Sequence, residues 1–549
     1  MTAAIYYHPE AYTTSGPKLM GRNAAGESFL RGFLAHSQAS EFWVQVQNVE
    51  HAKHFAATAQ SLGRNNPVKA VEKQSLAALA QPGLVYYPGP GIGEHAFQRA
   101  AYGAAAWSLC GITHTTSSAG AMDAIAGLVT APVQAWDAVI CTSHAVKDNV
   151  TRVLNAQLGY LQDRLGATKC TLPQLPVIPL GIHTTDFQFT ASHKAQARQA
   201  LGVEAQTMVV LFMGRLSFHA KAHPLAMYQA LESAARATGK QVVLVECGWH
   251  ANEFIEKSYA EAAALACPSV RVITLDGRKA EDRHRAWASA DVFCSLSDNI
   301  QETFGIVPIE AMAAGIPVVV ADWDGYKDTV RDGVDGYRIT TLMPQAGLGA
   351  DLAVRHALEV DTYDMYCGHT CSLVAVDIEA ASNAFVRLFQ SPELRVQMGE
   401  AGRERARQVY DWAAIIPQYE SLWTQLGEIR AAQATTLKPL AHPWPARMDP
   451  FDAFTRYPTQ ALKPETVLAL VDANPDAAMQ RVEAYRKLAM VNFAKIVLPT
   501  DAEVRLVLHA ALTPQAALTL IQAVPAERQA FVFRALVWLV KLGVLRVSA

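Results

Sequence analysis

Two successive series of short, β-branched apolar runs, each run followed by a helix-length pattern, constrain this chain more than any other feature. The first series occupies 3–7, 42–47, 83–87, 111–114, 138–141 and 176–179; the second occupies 208–213, 241–246, 270–275, 291–295 and 317–321. Strands that alternate with helices of about 10–15 residues build parallel sheets, because a parallel pairing needs a long crossover. The expected class is α/β, with two doubly wound, Rossmann-like domains. A break falls near 187–200, where Phe187-Gln-Phe189-Thr-Ala-Ser-His193 precedes a helix and then a fresh strand. With 549 residues the chain exceeds what one core can organise, so three or four domains are expected.

The alternation stops before Leu440-Ala-His-Pro443-Trp-Pro445-Ala-Arg-Met-Asp-Pro450, a proline-rich connector. Beyond it, helix-period apolar patterns run through 467–471, 482–497, 504–512 and 531–545, with Pro464 and Pro514 placed like first-turn prolines. That segment reads as a helical appendage. A small winged-helix module competes with that reading. Residues 463–549 carry ten basic and seven acidic side chains, a net +3 that is dispersed rather than clustered, so nucleic acid is not expected as a partner. The whole chain agrees, with a formal charge of −3 and no broad basic face to neutralise phosphates.

A hydrophobic fraction of 51% excludes extensive disorder. No apolar run reaches the ~18 residues of a membrane span, and the N-terminus lacks the basic and apolar regions of a signal peptide. Eight cysteines are scattered, mostly inside apolar runs, which suits reduced, buried thiols. The expected location is the cytoplasm, with peripheral contact at the inner membrane face left open.

The sharpest chemical signal is Ser297-Asp-Asn-Ile-Gln301-Glu302-Thr-Phe304-Gly305-Ile306-Val307-Pro308-Ile-Glu310-Ala-Met-Ala-Ala-Gly315, in a strand–loop–helix–strand context. Gly305 permits close backbone approach, and Pro308 suits a first helical turn. A helix N-terminus presents unpaired N–H groups to an anion. Glu302 and Glu310 flank that end, where carboxylates can accept hydrogen bonds from sugar hydroxyls; alone, either could simply complement the helix dipole. A second signal is the strand 209–213 ending at Gly214-Arg215, with Lys221 six residues on. Arginine grips two phosphate oxygens and lysine acts as a point charge. Fixed cations of this kind stabilise charge developing on a departing diphosphate.

In order along the chain, these motifs resemble a family-four retaining glycosyltransferase (glycosyl transferases group one) of the GT-B fold, over residues 1–426. Val177-Ile-Pro179-Leu-Gly181-Ile-His-Thr-Thr-Asp186-Phe187 and Tyr410-Asp-Trp412 with Ile416-Pro-Gln-Tyr419 complete the match. Ala222 stands after Lys221 where the family usually has glycine. The resemblance implies an acceptor-side domain over 1–190 and a nucleotide-sugar domain over 191–409, facing a cleft. It further implies a crossover helix over 410–426, leaving 427–462 as connector and 463–549 as appendage, a surface for self-association or docking. Arg215 and Lys221 would bind the donor pyrophosphate, Glu310 the ribose, Glu302 the transferred sugar, and the backbone from Phe304 through Gly305, Ile306 and Val307 the phosphates. Catalytic duty would fall on Glu302, Arg215, Lys221 and His114, the last at a strand end near the reacting sugar.

Gly21 and Gly26, in Met20-Gly21-Arg22-Asn-Ala-Ala-Gly26-Glu27-Ser28, form a third anion-facing element; Arg22 is either a phosphate ligand or an exposed charge. The co-substrate implied is a nucleotide-diphosphate sugar and the acceptor a glycan, lipid, protein or small molecule, with no metal or other cofactor required. Asp322-Trp-Asp324 matches a metal-binding pattern but falls on a sugar-side loop of the second domain, and Cys367-Gly-His369-Thr-Cys371 lacks a second ligand pair for zinc. An epimerase of the same fold and an inactive nucleotide-sugar-binding scaffold are the other readings.

Overall fold

The computed structural model describes residues 3–13, 21–437, 440, 442–472 and 474–548, apart from the side chains of 21–23 and 436. Met20 and the Arg22 side chain therefore lie outside it. The chain divides into two compact units, Met1–Trp444 and Pro445–Ala549.

The first unit holds two six-stranded parallel sheets. One contains β1 (Ala4–Tyr7), β2 (Phe42–Val46), β3 (Val68–Val71), β4 (Leu84–Tyr86), β5 (Ser108–Ile112) and β6 (Ala138–Ile140), in the order β3-β2-β1-β4-β5-β6. The other contains β7 (Met208–Met213), β8 (Val242–Gly248), β9 (Val270–Asp276), β10 (Val292–Ser295), β11 (Val318–Ala321) and β12 (Gly336–Ile339), in the order β12-β11-β10-β7-β8-β9. Each order reverses direction at its first strand. That is the doubly wound pattern, with its ligand crevice at the strands' carboxyl ends.

Successive residues of each buried strand serve opposite cores. Ile5, Val44 and Tyr86 pack with Phe29, Phe33 and Tyr419, whereas Ala4, Trp43 and Val85 pack with Ile92, Leu128 and Val146. In the second sheet Val209 and Leu211 face Ile309 and Met312, while Val210 and Phe212 face Leu231 and Phe385. Beneath the first sheet lies a buried ion pair. Arg99 donates to both oxygens of Asp137, at 2.6 and 2.8 Å, with both side chains at 0% exposure. Asp137 also accepts from the N–H groups of Leu109 and Gln134.

The helix Trp412–Gln433 returns from the second lobe to the first and packs on the helix Gly21–His36. Trp412 anchors it, fully buried, its indole N–H donating to Ser28 Oγ at 2.8 Å. The ring fits because Gly32 and Gly181 carry no side chain: a Cβ on either would stand 2.4–2.5 Å from it. This gives the glycine of the Leu180-Gly181 motif a packing role.

Several sequence expectations are corrected. Residues 176–179 make no strand; Val177 forms an isolated bridge to Cys141, since proline cannot donate to a ladder. Within the two six-stranded sheets, β3 and β12 were not anticipated; both lie at sheet edges, where the apolar signal is weak. Helix continues through Gln433, inside what reads as connector, and the unit boundary falls at Trp444. The second unit is helix-rich but not wholly helical. Val467–Leu470, Gln515–Ala516 and Leu545–Val547 form a small antiparallel sheet over an apolar core of its own that includes Val482, Val504 and Leu536. Pro464 and Pro514 precede strands rather than helices. Among the described residues no helix is long and apolar enough to cross a membrane. All eight cysteines are unpaired, and all but Cys170 are buried.

Candidate active site

The site is assembled where β7 and β10 end. Past β7 the chain turns through Gly214 into the Arg215–Lys221 loop. Past β10 it runs through the buried Asp298 and Asn299 to Gly305, which caps the helix Ile306–Ala313. Gly305 has φ 83°, the left-handed region, and a Cβ there would stand 1.9 Å from the Tyr326 ring. Only glycine lets this loop turn against the Tyr326 ring. The helix has no side-chain cap, so its first N–H groups remain for a ligand.

Lys221 and Glu302 are brought together, with Nζ 2.5 Å from Oε2. Burial works to raise the Glu302 pKa, but the Lys221 ammonium and the N–H groups of Thr303 and Phe304 outweigh it and leave the pKa lowered. Arg215 donates through one terminal nitrogen to the Ala220 carbonyl at 2.9 Å and to Gln301 Oε1 at 2.8 Å. Asn299 joins the two loops by donating from Nδ2 to the His219 carbonyl at 3.0 Å. With Ala222 following Lys221, the loop places both cations against the Gln301–Glu302 segment. The arrangement offers two cations and one carboxylate beside an uncapped helix end, a setting for an anionic group bearing hydroxyls.

Glu310 lies one turn along the same helix. Burial pushes its carboxyl up to about 7, with Arg283 lowering it and Asp186 raising it. Its helix packs against Thr184–Phe187, the end of the Gly181–Phe187 motif, which contains Asp186.

The opposite bank comes from the first lobe. The His114 carbonyl accepts from Thr303 Oγ1 at 2.7 Å, putting the half-buried histidine beside the residue that follows Glu302. Thr142 Oγ1 donates to the Thr303 carbonyl at 3.3 Å, and Ser143 Oγ to Asp324 at 3.3 Å. Gly21 opens its helix, but Gly26 lies inside it, so its N–H is committed to the helix. A Cβ on Gly26 would stand 2.1 Å from the Ala11 carbonyl oxygen; this glycine is corrected from ligand contact to close packing.

Asp322 and Asp324 diverge. Asp322 lies 3.5 Å from Arg338, while Asp324 is pushed up to about 7 by burial. His369 Nδ1 is 3.0 Å from Asp361, and Cys371 Sγ points to the Gly368 carbonyl at 3.3 Å. Among the described residues no group of three or more His, Cys, Asp or Glu could hold a metal ion. Sequence reasoning missed Gln301, which sits inside its sharpest motif, and Tyr363, which heads the helix carrying the Cys-His-Cys pattern. Gln301 Nε2 donates to Tyr363 Oη at 3.1 Å. Polarity at Gln301 was the available signal; nothing in the sequence joins Tyr363 to it.

Residues 193–346 match the family model for glycosyl transferases group 1, so the resemblance carried by the motifs holds. A D-inositol 3-phosphate glycosyltransferase of Mycobacterium sp. (strain KMS) is 36% identical over 149 residues, 27% of this chain and 32% of that protein. A phosphatidyl-myo-inositol mannosyltransferase of Mycobacterium leprae (strain TN) is 33% identical over 152 residues, 27% of this chain and 31% of that protein. The chain thus spans about a third of the length of these relatives. In fold it is similar to Anabaena HepE, solved in complex with UDP, with TM-score 0.50 and 16% identity over 77% of this chain and 100% of that one. The fold is GT-B.

Proposed function

We propose that this chain, whose residues 193–346 carry the group 1 glycosyltransferase match, moves a sugar from a nucleoside-diphosphate donor to an acceptor hydroxyl with retention at the anomeric carbon. The observation that carries the reading is the convergence of Arg215, Lys221 and Glu302 at the uncapped end of the helix Ile306–Ala313. An incoming diphosphate would draw Lys221 from Glu302 and engage the Arg215 guanidinium, freeing the carboxylate to accept from the sugar's hydroxyls. As the glycosidic bond breaks, charge grows on the leaving phosphate, where fixed cations and helix N–H groups oppose it at little reorganisation cost. No side chain is needed as covalent nucleophile. The leaving phosphate can take the acceptor's proton on the same face, so the chain contributes position and charge. First-lobe contacts such as Thr303 with His114 hold the acceptor bank against the donor bank and limit water.

UDP in the HepE structure makes a uridine nucleotide the first donor to test. The two cations also make a divalent ion dispensable, so activity should survive EDTA. A thermal-shift panel of nucleoside diphosphates, followed by turnover of the matching nucleotide sugars and NMR of the product anomer, tests the reading. Arg215→Ala and Lys221→Ala should each lower turnover by about 10²–10³ without loss of fold. Near-normal rates in both, or an inverted product, would refute the assignment.

A further inference from the structure

One connected set of hydrogen bonds runs from the donor-side cation to the first lobe, and the function above does not use it. Arg215 has only donors, so the amide of Gln301 must present its oxygen to it, at 2.8 Å. The amide nitrogen is then directed at Tyr363 Oη, 3.1 Å away. Having accepted from Gln301, the Tyr363 hydroxyl is left with its own proton to give. Two hydroxyls lie in reach, Ser117 Oγ at 3.0 Å and Thr115 Oγ1 at 3.3 Å, and in each pair either oxygen can donate. Both belong to the turn that follows His114. Each member of the set is bonded to the next, and the direction of donation is fixed from Arg215 through Gln301 to Tyr363.

The set is also held in place at each joint. The Gln301 N–H donates to Asn299 Oδ1 at 3.0 Å, fixing the loop below the amide. Tyr363 opens the helix Tyr363–Cys371, capped by Thr362. That helix packs closely on the Arg215–Lys221 loop, for a Cβ on Gly368 would stand 2.9 Å from His219 Cβ. Tyr363 is therefore presented by a rigid element, not by a mobile side chain reaching across a cleft. Partly buried and away from bulk water, such linked bonds polarise one another.

We propose that Gln301 and Tyr363 are positioning residues for Arg215, and that the Thr115–Ser117 turn sets the orientation of the guanidinium through them. The proposal rests on the reading of Arg215 as a diphosphate ligand. It makes the donor-side cation fully effective only when the acceptor lobe's turn is seated, which would match leaving-group stabilisation to the presence of the acceptor bank. Proteins gain this kind of coupling from contiguous networks, but only measured coupling establishes it.

The test uses the full chain, with the nucleoside diphosphate and nucleotide sugar that the wild type selects from the panel. Tyr363→Phe deletes one oxygen. It should lower kcat about tenfold, the scale of one aligned hydrogen bond lost in the transition state, while the donor KM stays within twofold and the melting temperature is unchanged. Gln301→Met should behave likewise. The decisive measurement is the cycle combining Gln301→Met with Ser117→Ala, two residues linked through Tyr363. Their effects on kcat should be non-additive in the wild type and additive when Tyr363 is phenylalanine. Additive effects in both backgrounds, unchanged kcat in Tyr363→Phe, or loss of melting temperature with kcat intact would each overturn the proposal and leave the glycosyl-transfer reading standing. A wild type that binds no nucleoside diphosphate and turns over no nucleotide sugar would overturn both.

Discussion

If the chain binds a nucleotide as proposed, the pH dependence of that binding should carry the signature of Glu310. Burial raises its carboxyl to about 7, so near neutrality it is about half protonated in the empty site. If it accepts hydrogen bonds from ribose hydroxyls, the nucleotide binds the ionised form better. The sign follows. Affinity is full above the raised pKa and falls as the pH drops through about 7. Between pH 8 and pH 6 the ionised fraction falls about tenfold, and a neutral carboxyl keeps one acceptor, so Kd should rise by up to about tenfold. Calorimetric titration of the nucleoside diphosphate from pH 5.5 to 8.5 measures this. The diphosphate itself and the buried Asp298 and Asp324, both pushed up to about 7 by burial, titrate in the same window. Glu310→Gln separates them, since it should flatten the Glu310 part of the slope and weaken binding at pH 8. An unchanged profile in Glu310→Gln would refute the reasoning, because the proton linkage would then belong to another group.

Other outcomes test the scaffold. Asp137→Ala strands the buried Arg99 guanidinium and should cost about 3–5 kcal/mol in urea denaturation; a loss under 1 kcal/mol would show that water reaches the site. Gly305→Ala forces a Cβ to 1.9 Å from the Tyr326 ring at a left-handed φ, and should lower stability by more than about 2 kcal/mol, read as a reduced melting temperature. Trp412→Ala should cost about 3–5 kcal/mol, and wild-type stability there would mean that the returning helix is not anchored by its indole. A chain shortened to end at Trp444 should fold with its melting temperature nearly unchanged, since each unit has its own apolar core; an insoluble product would show that the cores depend on each other.

What the sequence determined by itself was local and periodic. The strands of both sheets show as apolar runs because both faces are buried, which removes polar alternation and leaves Val209-Val-Leu211 or Val318-Val-Val320 in plain view. The residues that converge past β7 and β10 were legible for a different reason. Arg215, Lys221, Glu302 and Gly305 lie at strand ends and a helix start, places the chain order alone identifies. The edge strands β3 and β12 were hidden, because a half-exposed run such as Val68–Val71 has the composition of a loop. So was the small sheet of the second unit, whose strand Val467–Leu470 is too short to distinguish from a helical turn. Only the tertiary structure decided that Gly26 and Gly181 make room for close packing, since that depends on the Ala11 carbonyl and the Trp412 ring approaching from elsewhere in the chain. It alone joined Ser117 to Tyr363, 246 residues apart. A hydrogen bond between distant residues leaves no period in the sequence; it exists only once the chain has brought the turn after β5 against the helix Tyr363–Cys371.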